Sequence, residues 1–443
     1  MLFVLCFFIT SILAKDAIQD TQHSEYVLAE RYEQLGDWSK ALSLYLEAFQ
    51  ANPEKSEPLQ KISSYYRHHG DNQLAYIFAK LGSILFSSYQ FEEDLSIVSY
   101  YTGRKEDGYI AASNLMTRKD APWWVKNQAS KNILFYVDNL PNTQFQPISL
   151  DLPFVNDETE EQYHPMNPSI LKTEDGYRVI CRTVNYTQTG AKIFQTNDPE
   201  GIYRTRNFLL TYDRFFNLLS QEEIDECLER KKSHPISLVQ GLEDARIFQF
   251  QNEDWFTCTT RDGNVSGVPQ IVLCKIGEMG EVVQFIPLKG PDVNRCEKNW
   301  LPFIKNNEIQ IIYSSDPFVV LRPDLETGDC KKAFEYEPTS DFSAFRGSAS
   351  PIVFEDGYLM MVHEVSFLKD GSRAYLHRFV LLDENLQIQK VSKPFTFTHI
   401  GIEFCCGMTL NHEEDQIIMT IGIEDNQAML VFLAKEEFKN FVN

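Results

Sequence analysis

The chain has little positive charge for its size: 41 Lys and Arg stand against 63 Asp and Glu, a formal net charge of −22. Binding to a nucleic-acid backbone relies on clustered Lys and Arg that release counterions, and the absence of such clusters excludes nucleic acid as a partner. Long apolar runs are also missing. The most apolar stretch, Met1 to Ala14, falls short of the roughly 20 residues that a spanning helix needs. Its small last residue, ahead of Lys15 and Asp16, reads as the end of an export signal. Residues 1–21 are set apart as a signal peptide and lead-in, so the protein is expected to be secreted or to reside in the secretory pathway or periplasm; left uncleaved, the same segment would anchor it to a membrane. No CxxC pair and no His/Cys cluster has zinc spacing, so neither a metal nor an organic cofactor is expected.

Cysteine is absent between Cys6 and residue 180; of nine in all, the eight after the leader are an even number, compatible with disulfides in an exported chain. The other reading makes Cys181, Cys258 and Cys274, each inside a β-rich run, small buried hydrophobes. For Cys405 and Cys406, two thiols on opposite faces of a strand fit better than a vicinal disulfide, whose geometry rarely suits neighbours. Asn185-Tyr-Thr and Asn264-Val-Ser are N-glycosylation sequons. With 43% hydrophobic and 23% charged residues, the composition is that of a chain that folds into globular domains.

Residues 22–140 hold few β-branched residues, show apolar positions at helical spacing, and repeat with a period of 34: Tyr32, Gly36, Asp37 and Ala41 recur as Tyr66, Gly70, Asp71 and Ala75. Leu28, Ala29, Tyr45, Ala48 and Pro53 complete the first unit. The pattern resembles tetratricopeptide repeats, with small residues letting paired helices approach and Pro53 ending the second helix. Gly82 is read as closing the second unit, and Tyr101, Gly103, Gly108 and Ala111 as a looser third. Such an array either binds a protein partner or caps the next domain.

From residue 148 to 438 the pattern changes to short runs rich in Val, Ile, Phe and Tyr between Gly, Asn and Asp turns. The runs include Tyr177–Arg182, Ile247–Gln251, Trp255–Thr260, Gln270–Ile276, Glu308–Ser314, Tyr358–His363, Tyr375–Leu382 and Gln416–Gly422. This length suits radial repetition of four-stranded blades, and at about 55 to 60 residues each it divides into five. The expected fold is two-domain: an α-helical repeat followed by an all-β five-bladed propeller.

Within that region, motifs occur in an order that resembles the β-mannoside phosphorylases of glycoside hydrolase family 130 and their mannosyltransferase relatives. They are Asn167-Pro-Ser-Ile with Asp175-Gly-Tyr and Arg182, then Gly241-Leu-Glu-Asp244-Ala-Arg246-Ile, Glu297-Lys298-Asn299-Trp300, Arg346-Gly-Ser-Ala-Ser-Pro with His363, and Gly422-Ile-Glu-Asp425. Ala245 replaces the family's usual Pro, and a charged insertion spans Thr205 to Ser237. The resemblance implies a glycosyl-transferring enzyme acting on mannosides or similar sugars by inverting phosphorolysis or its reverse, with an oligosaccharide partner and inorganic phosphate or a sugar phosphate as co-substrate.

That chemistry needs a proton donor for the leaving oxygen and a nucleophile on the opposite face. The resemblance gives the donor role to Asp244, with the proton relayed through a sugar hydroxyl; walls of Leu242 and Ile247 would keep the carboxyl protonated by desolvation. Arg182, Arg246, Lys298, Arg346 and His363 are the candidates to hold phosphate, with Asn299 beside them. The resemblance places Asp425 on the sugar. Glu403, if it faced Asp244 across the sugar, would activate water and give an inverting hydrolase. Trp300, Tyr186 and Phe404 are candidates for stacking on sugar faces. A catalytically silent glycan-binding propeller and a scaffold protein are the alternatives, and clustering of the basic groups around Asp244 separates them from an enzyme.

Overall fold

The computed structural model describes residues 22–156, 158–189, 193–226, 237–264, 266–277, 280–291 and 295–442. Residues 1–21, read above as an export signal and lead-in, lie outside them. The chain divides into two compact units, Met1–Val137 and Asp138–Asn443.

In the first unit the described helices are α1 (Gln22–Gln34), α2 (Trp38–Ala51), α3 (Glu57–His68), α4 (Asn72–Leu85), α5 (Tyr89–Tyr101), α6 (Lys105–Thr117) and α7 (Trp123–Asn132). They form three hairpins and a final single helix. The repeated Gly-Asp pair is the hinge of each of the first two hairpins. Gly36 and Gly70 take φ of 77° and 81°, the left-handed turn that ends a helix at little cost only for glycine. Asp37 and Asp71 then cap the next helix by accepting from the Lys40 and Leu74 amides. The third hairpin keeps the glycine, Gly103, but its cap position is Arg104, which makes no side-chain capping bond. Gly82 does not close the second unit. It lies inside α4, where an added Cβ would meet the Phe91 ring at 2.2 Å, so its smallness lets α4 and α5 touch.

The second unit is a five-bladed propeller. Blade 1 is built on His164–Lys172, Gly176–Val184 and Tyr203–Asp213, with Leu218–Glu223 outside. Blade 2 is Glu243–Phe250, Glu253–Thr260, Gln270–Ile276 and Val282–Pro287; blade 3 is Leu301–Lys305, Glu308–Ser315, Phe318–Pro323 and Cys330–Tyr336. Blade 4 centres on the long Gly357–Phe367 and Arg373–Asp383 pair. Blade 5 joins Glu403–Leu410, Gln416–Ile423 and Gln427–Ala434 to Gln144–Pro147, which adds antiparallel as its outermost strand. The propeller therefore starts before residue 148, and its ring is closed by a strand from the opposite end of the domain. Blade 1 also claims Tyr203–Asp213 and Leu218–Glu223 from the expected insertion, whose residues 227–236 lie outside those described.

The described cysteines Cys181, Cys258, Cys274, Cys296, Cys330, Cys405 and Cys406 are all free; Cys181, Cys258, Cys274, Cys405 and Cys406 are buried and serve as core residues, whereas Cys296 is exposed and Cys330 half-buried. Asn185, of the first sequon, is not an exposed acceptor. It is 1% exposed, and its amide donates to the Ile202 carbonyl at 2.8 Å while its oxygen accepts from the Arg204 amide at 2.6 Å.

Candidate active site

Three innermost strands are irregular. Register shifts interrupt blade 1 between Met166 and Ser169, blade 2 between Glu243 and Arg246, and blade 5 between Cys405 and Gly407. A bulge bends its strand and re-aims a side chain, and here it turns polar groups toward the hub. Asn167, Asp244, Asn299 and Asp425 take φ of 41°, 55°, 63° and 50°. Left-handed backbone at non-glycine residues is costly and clusters at functional sites. Gly422 makes one of these turns possible, because a Cβ there would meet Asn167 Oδ1 at 2.1 Å and its backbone nitrogen at 2.6 Å.

The side chains so aimed line one cavity of about 430 Å³ to which every blade contributes. Blade 1 supplies Asn167, Arg182 and Tyr186, blade 2 Glu243, Asp244 and Arg261, and the approach to blade 3 Lys298 and Asn299; blade 4 gives Arg346, His363, Arg373 and Tyr375, and blade 5 Phe404 and Asp425. Of the sequence candidates, Arg182, Asp244, Lys298, Asn299, Arg346, His363 and Asp425 are thus brought together, with Tyr186 and Phe404. An adjoining cavity of about 650 Å³ shares Lys298, Asn299 and Arg346 with the first.

Two ion pairs form the floor. Arg182 donates to Asp244 Oδ1 at 2.8 Å, and Asn167 donates to the same oxygen at 2.8 Å. Lys298 Nζ donates to Glu243 at 3.0 Å, with the Arg182 guanidinium 3.9 Å from the other Glu243 oxygen. Burial pushes the Asp244 carboxyl up, but Arg182, Lys298 and the Asn167 hydrogen bond outweigh it and hold Asp244 below the usual carboxylate range. The expectation of a protonated Asp244 is corrected accordingly: Leu242 and Ile247 pack into an apolar core cluster and do not line the cavity, and the neighbouring cations decide the charge of Asp244. Glu243 is ionised on the same balance, burial opposed by Lys298 and Arg182. Asp425 is the contrary case. Burial, with Asp244, Glu424 and Glu243 adding repulsion, pushes its carboxyl up to about 6 against the pull of Arg182.

His363 lies within 2.9 Å of Ser348 Oγ through Nδ1. Burial first, then His377, Arg346 and Arg246, push its pKa well down, so it offers a neutral imidazole and not a cation. Arg346 makes no side-chain hydrogen bond or ion pair to any described residue. Arg261, which the sequence reading missed, has a buried Nε with no partner among the described residues. Arg373, Tyr375 and the edge-to-face trio Tyr186, Phe194 and Tyr203, with ring centroids 5.4 to 6.3 Å apart, were also missed as a set. Their signal was the position at strand ends, which is legible only once the blades are aligned.

Three candidates do not line the cavity. Arg246 is 1% exposed and is consumed by the Ser348 carbonyl at 2.9 Å, the Asp244 carbonyl at 3.0 Å and Asn299 Oδ1 at 3.3 Å, so it straps three blades together behind the site. Glu403 is fully buried, and its carboxylate accepts from the Phe397, Thr398 and His399 amides at 2.6, 2.7 and 3.1 Å. It holds a loop and does not face Asp244, so it cannot position water there. Trp300 is core, its Nε1 donating to Glu297 at 3.1 Å. No group of three or more His, Cys, Asp or Glu suited to a metal occurs among the described residues.

No family model and no curated protein matches the chain. Among solved structures it is similar to a β-1,2-mannobiose phosphorylase from Listeria innocua at 12% identity and a TM-score of 0.44, over 63% of this chain and 92% of that one. A GDP-Man-dependent mannosyltransferase from Leishmania mexicana gives 12% and 0.44, over 69% and 93%. A structure from glycoside hydrolase family 130, described for hydrolases that target β-1,2 mannosidic linkages in Candida mannan, gives 13% and 0.48, over 68% and 97%. The five-blade architecture itself rests on the strand pairing described above.

Proposed function

We propose that the propeller transfers a mannosyl or similar glycosyl group with inversion between an oxyanion and a sugar acceptor. The observation that carries this is the sharing of one hub cavity by the Asp244 carboxylate and the unpaired Arg346 guanidinium, beside Lys298, in a chain of net charge −22. A lectin requires no such cationic pocket, whereas a phosphate group finds there one guanidinium not already committed to a carboxylate, a point charge and a neutral imidazole.

The charge state of Asp244 matches the synthetic direction. The acceptor hydroxyl attacks the anomeric carbon, the bond to phosphate breaks, and the hydroxyl proton passes to the Asp244 carboxylate, directly or through a sugar hydroxyl. In phosphorolysis the same group returns the proton to the leaving oxygen. Phosphate bound among Arg182, Lys298 and Arg346 cancels the field that keeps Asp244 ionised and so raises its proton affinity. Asp425 accepts or donates to a sugar hydroxyl, and Tyr186 and Phe404 flank the ring. Glu403 being committed elsewhere, the water-activating hydrolase has no second carboxylate at that position.

The test incubates the purified protein with mannose 1-phosphate or GDP-mannose and a panel of sugar acceptors. Phosphate release with a new glycoside by mass spectrometry, lost in Asp244→Asn, is the expected result. GDP release shifts the donor to a sugar nucleotide. Glycan binding with no turnover of either donor overturns the proposal in favour of a lectin.

A further inference from the structure

The turn that presents Asp425 to the hub is strained, and a second carboxylate on it is tied to a neighbouring loop. The turn joins the blade 5 strands Gln416–Ile423 and Gln427–Ala434, and both Glu424 and Asp425 take left-handed φ, 49° and 50°. Such turns favour Asn, Asp or Gly, because longer side chains pay a conformational cost there. Glu424 has no local reason to occupy one; its reason lies in residues 397–402. The Glu424 amide donates to the Ile402 carbonyl at 2.8 Å, and Glu424 Oε1 accepts from the Ile402 amide at 2.9 Å and stands 2.9 Å from His399 Nε2. Gly401 makes the room: a Cβ there would meet Glu424 Oε1 at 2.3 Å and His399 Nε2 at 2.7 Å. Ile402 and Asp425 both line the hub cavity, so this clasp joins two parts of one wall.

Counting protons fixes the state of His399. The Thr398 hydroxyl donates to Glu403 Oε1 and lies 2.8 Å from His399 Nδ1. Glu403 Oε1 also accepts from the Thr398 and His399 amides, so it acts only as an acceptor and takes the single hydroxyl proton. Thr398 Oγ1 is left to accept from His399 Nδ1. At the other end of the ring Glu424 Oε1 is an acceptor too, so Nε2 donates to it. Both ring nitrogens therefore carry hydrogen, which makes His399 an imidazolium between two carboxylates, 2.9 Å from Glu424 and 3.6 Å from Glu403. The ring is 45% exposed and exchanges protons with solvent. Other titratable groups reach this loop on three sides. The turn brings Asp425. The strand Arg373–Asp383, bonded to the Gly401 carbonyl through the Tyr375 amide at 2.9 Å, brings Arg373, Tyr375, His377 and Arg378. The segment bonded to the Thr398 carbonyl through Asn139 at 2.8 Å brings Asp138. Among the described residues, only Glu424 and Glu403 form ion pairs with His399. We propose that His399 and Glu424 are positioning residues for Asp425: the imidazolium holds Glu424, Glu424 holds the left-handed turn, and the turn aims the Asp425 carboxyl at a sugar hydroxyl. The clasp closes while His399 is charged and opens as it loses its proton. Its existence stands on the geometry of the loop, and its effect on the sugar rests on the reading of the hub given above.

The test follows amide hydrogen exchange by mass spectrometry in the full-length protein, at peptides spanning residues 398–404 and 420–428. It is run at about pH 5.5 and about pH 8, either side of the range in which histidine changes charge, with intrinsic rates divided out. Protection of both segments should fall about fivefold from the lower to the higher pH, as one charge-assisted hydrogen bond is lost at a half-exposed site. His399→Gln keeps a donor for Glu424 at either pH and should remove that difference, whereas His399→Ala should be open at both. In the glycosyl-transfer assay His399→Ala should raise KM about fivefold and leave kcat within about twofold, with His399→Gln restoring the native KM. Native protection that does not change with pH, or that survives in His399→Ala, overturns the clasp. A clasp that opens as described while KM stays unmoved overturns the positioning of Asp425. If no donor is turned over, the reading of the hub has failed, and the same variants are titrated with a mannose oligosaccharide. Binding about fivefold weaker in His399→Ala then supports the positioning role, and binding that is unchanged or absent overturns it.

Discussion

Blades 2 and 5 each present the hub with one aspartate on a left-handed turn, at φ of 55° for Asp244 and 50° for Asp425. Both carboxyls face the same cavity, and both are raised by burial. They differ in partners. Asp244 receives hydrogen bonds from Arg182 and Asn167 and stays ionised; Asp425 has three acidic neighbours and only Arg182 to offset them, and holds a proton up to about 6. Which carboxyl is charged is therefore decided by who stands next to it and not by how deeply it lies.

The hardest blow to the contrast is Asp244→Asn, which keeps the shape and removes the charge. Turnover should fall about a thousandfold, in the range of a lost general acid or base, with the circular dichroism spectrum unchanged; activity within tenfold of native would remove Asp244 from the chemistry. Arg182→Met attacks the same contrast from the cation side. It leaves Asp244 and Glu243 short of a buried partner, and urea unfolding should register a loss of roughly 3–5 kcal/mol. Carbon-detected NMR titration of the surviving protein should find Asp244 shifted upward toward Asp425. Gly422→Ala probes the support beneath Asn167, where the new methyl has no room; a loss of about 1–3 kcal/mol in thermal or urea unfolding is expected from the overpacking.

The smallest effect sharpens the comparison most. In the unfolded chain Asp425 ionises near the ordinary value of about 3.9, whereas folded it retains its proton to about 6. Between those values the folded state carries the extra proton, so Asp425 makes stability fall as pH rises through that window. Asp244 has the opposite sign: its contribution is present above about 3.9 and fades as pH drops. Asp425→Asn should flatten the fall between pH 4 and 6 in a pH series of unfolding midpoints and leave the acid limb alone. Asp94 of the helical unit, pushed up to about 6 mainly by burial against the pull of Arg67, adds a slope of the same sign, so Asp94→Asn is the necessary companion variant. An unchanged slope in Asp425→Asn would place its proton elsewhere.

Much of this was legible in the residues. The Gly-Asp pair announces each hairpin because both residues act locally, one through φ and one through a cap. The expected run Gln270–Ile276 is a strand at those bounds, and Glu308–Ser314 and Gln416–Gly422 are each one residue short. Asn167, Asp244, Lys298 and Arg346 could be found because each sits in one of the ordered motifs that carry the resemblance described above. Glu403, which opens a strand, and Asp425, on the turn after the following strand, both read as candidate carboxylates, and only the backbone amides of residues 397–399 reveal that Glu403 is spoken for. Arg261 and Arg373 were hidden for a related reason: a charged residue at a strand end looks solvated until five such ends converge. Gln144–Pro147 escaped entirely, because it is only four residues long and ends in proline, and its ladder partner lies at the far end of the chain.

That last strand has a consequence for synthesis. Gln144–Pro147 emerges from the ribosome before any blade, yet its partner Gln427–Ala434 is among the last segments made. Until then the strand has no edge to join, while the helical hairpins, whose contacts are close in sequence, are free to form at once. A circular permutant that begins at blade 1 and carries the Gln144–Pro147 segment directly behind Gln427–Ala434 would turn the longest-range pairing in the ring into a local hairpin, and should reach its closed form sooner than the natural chain.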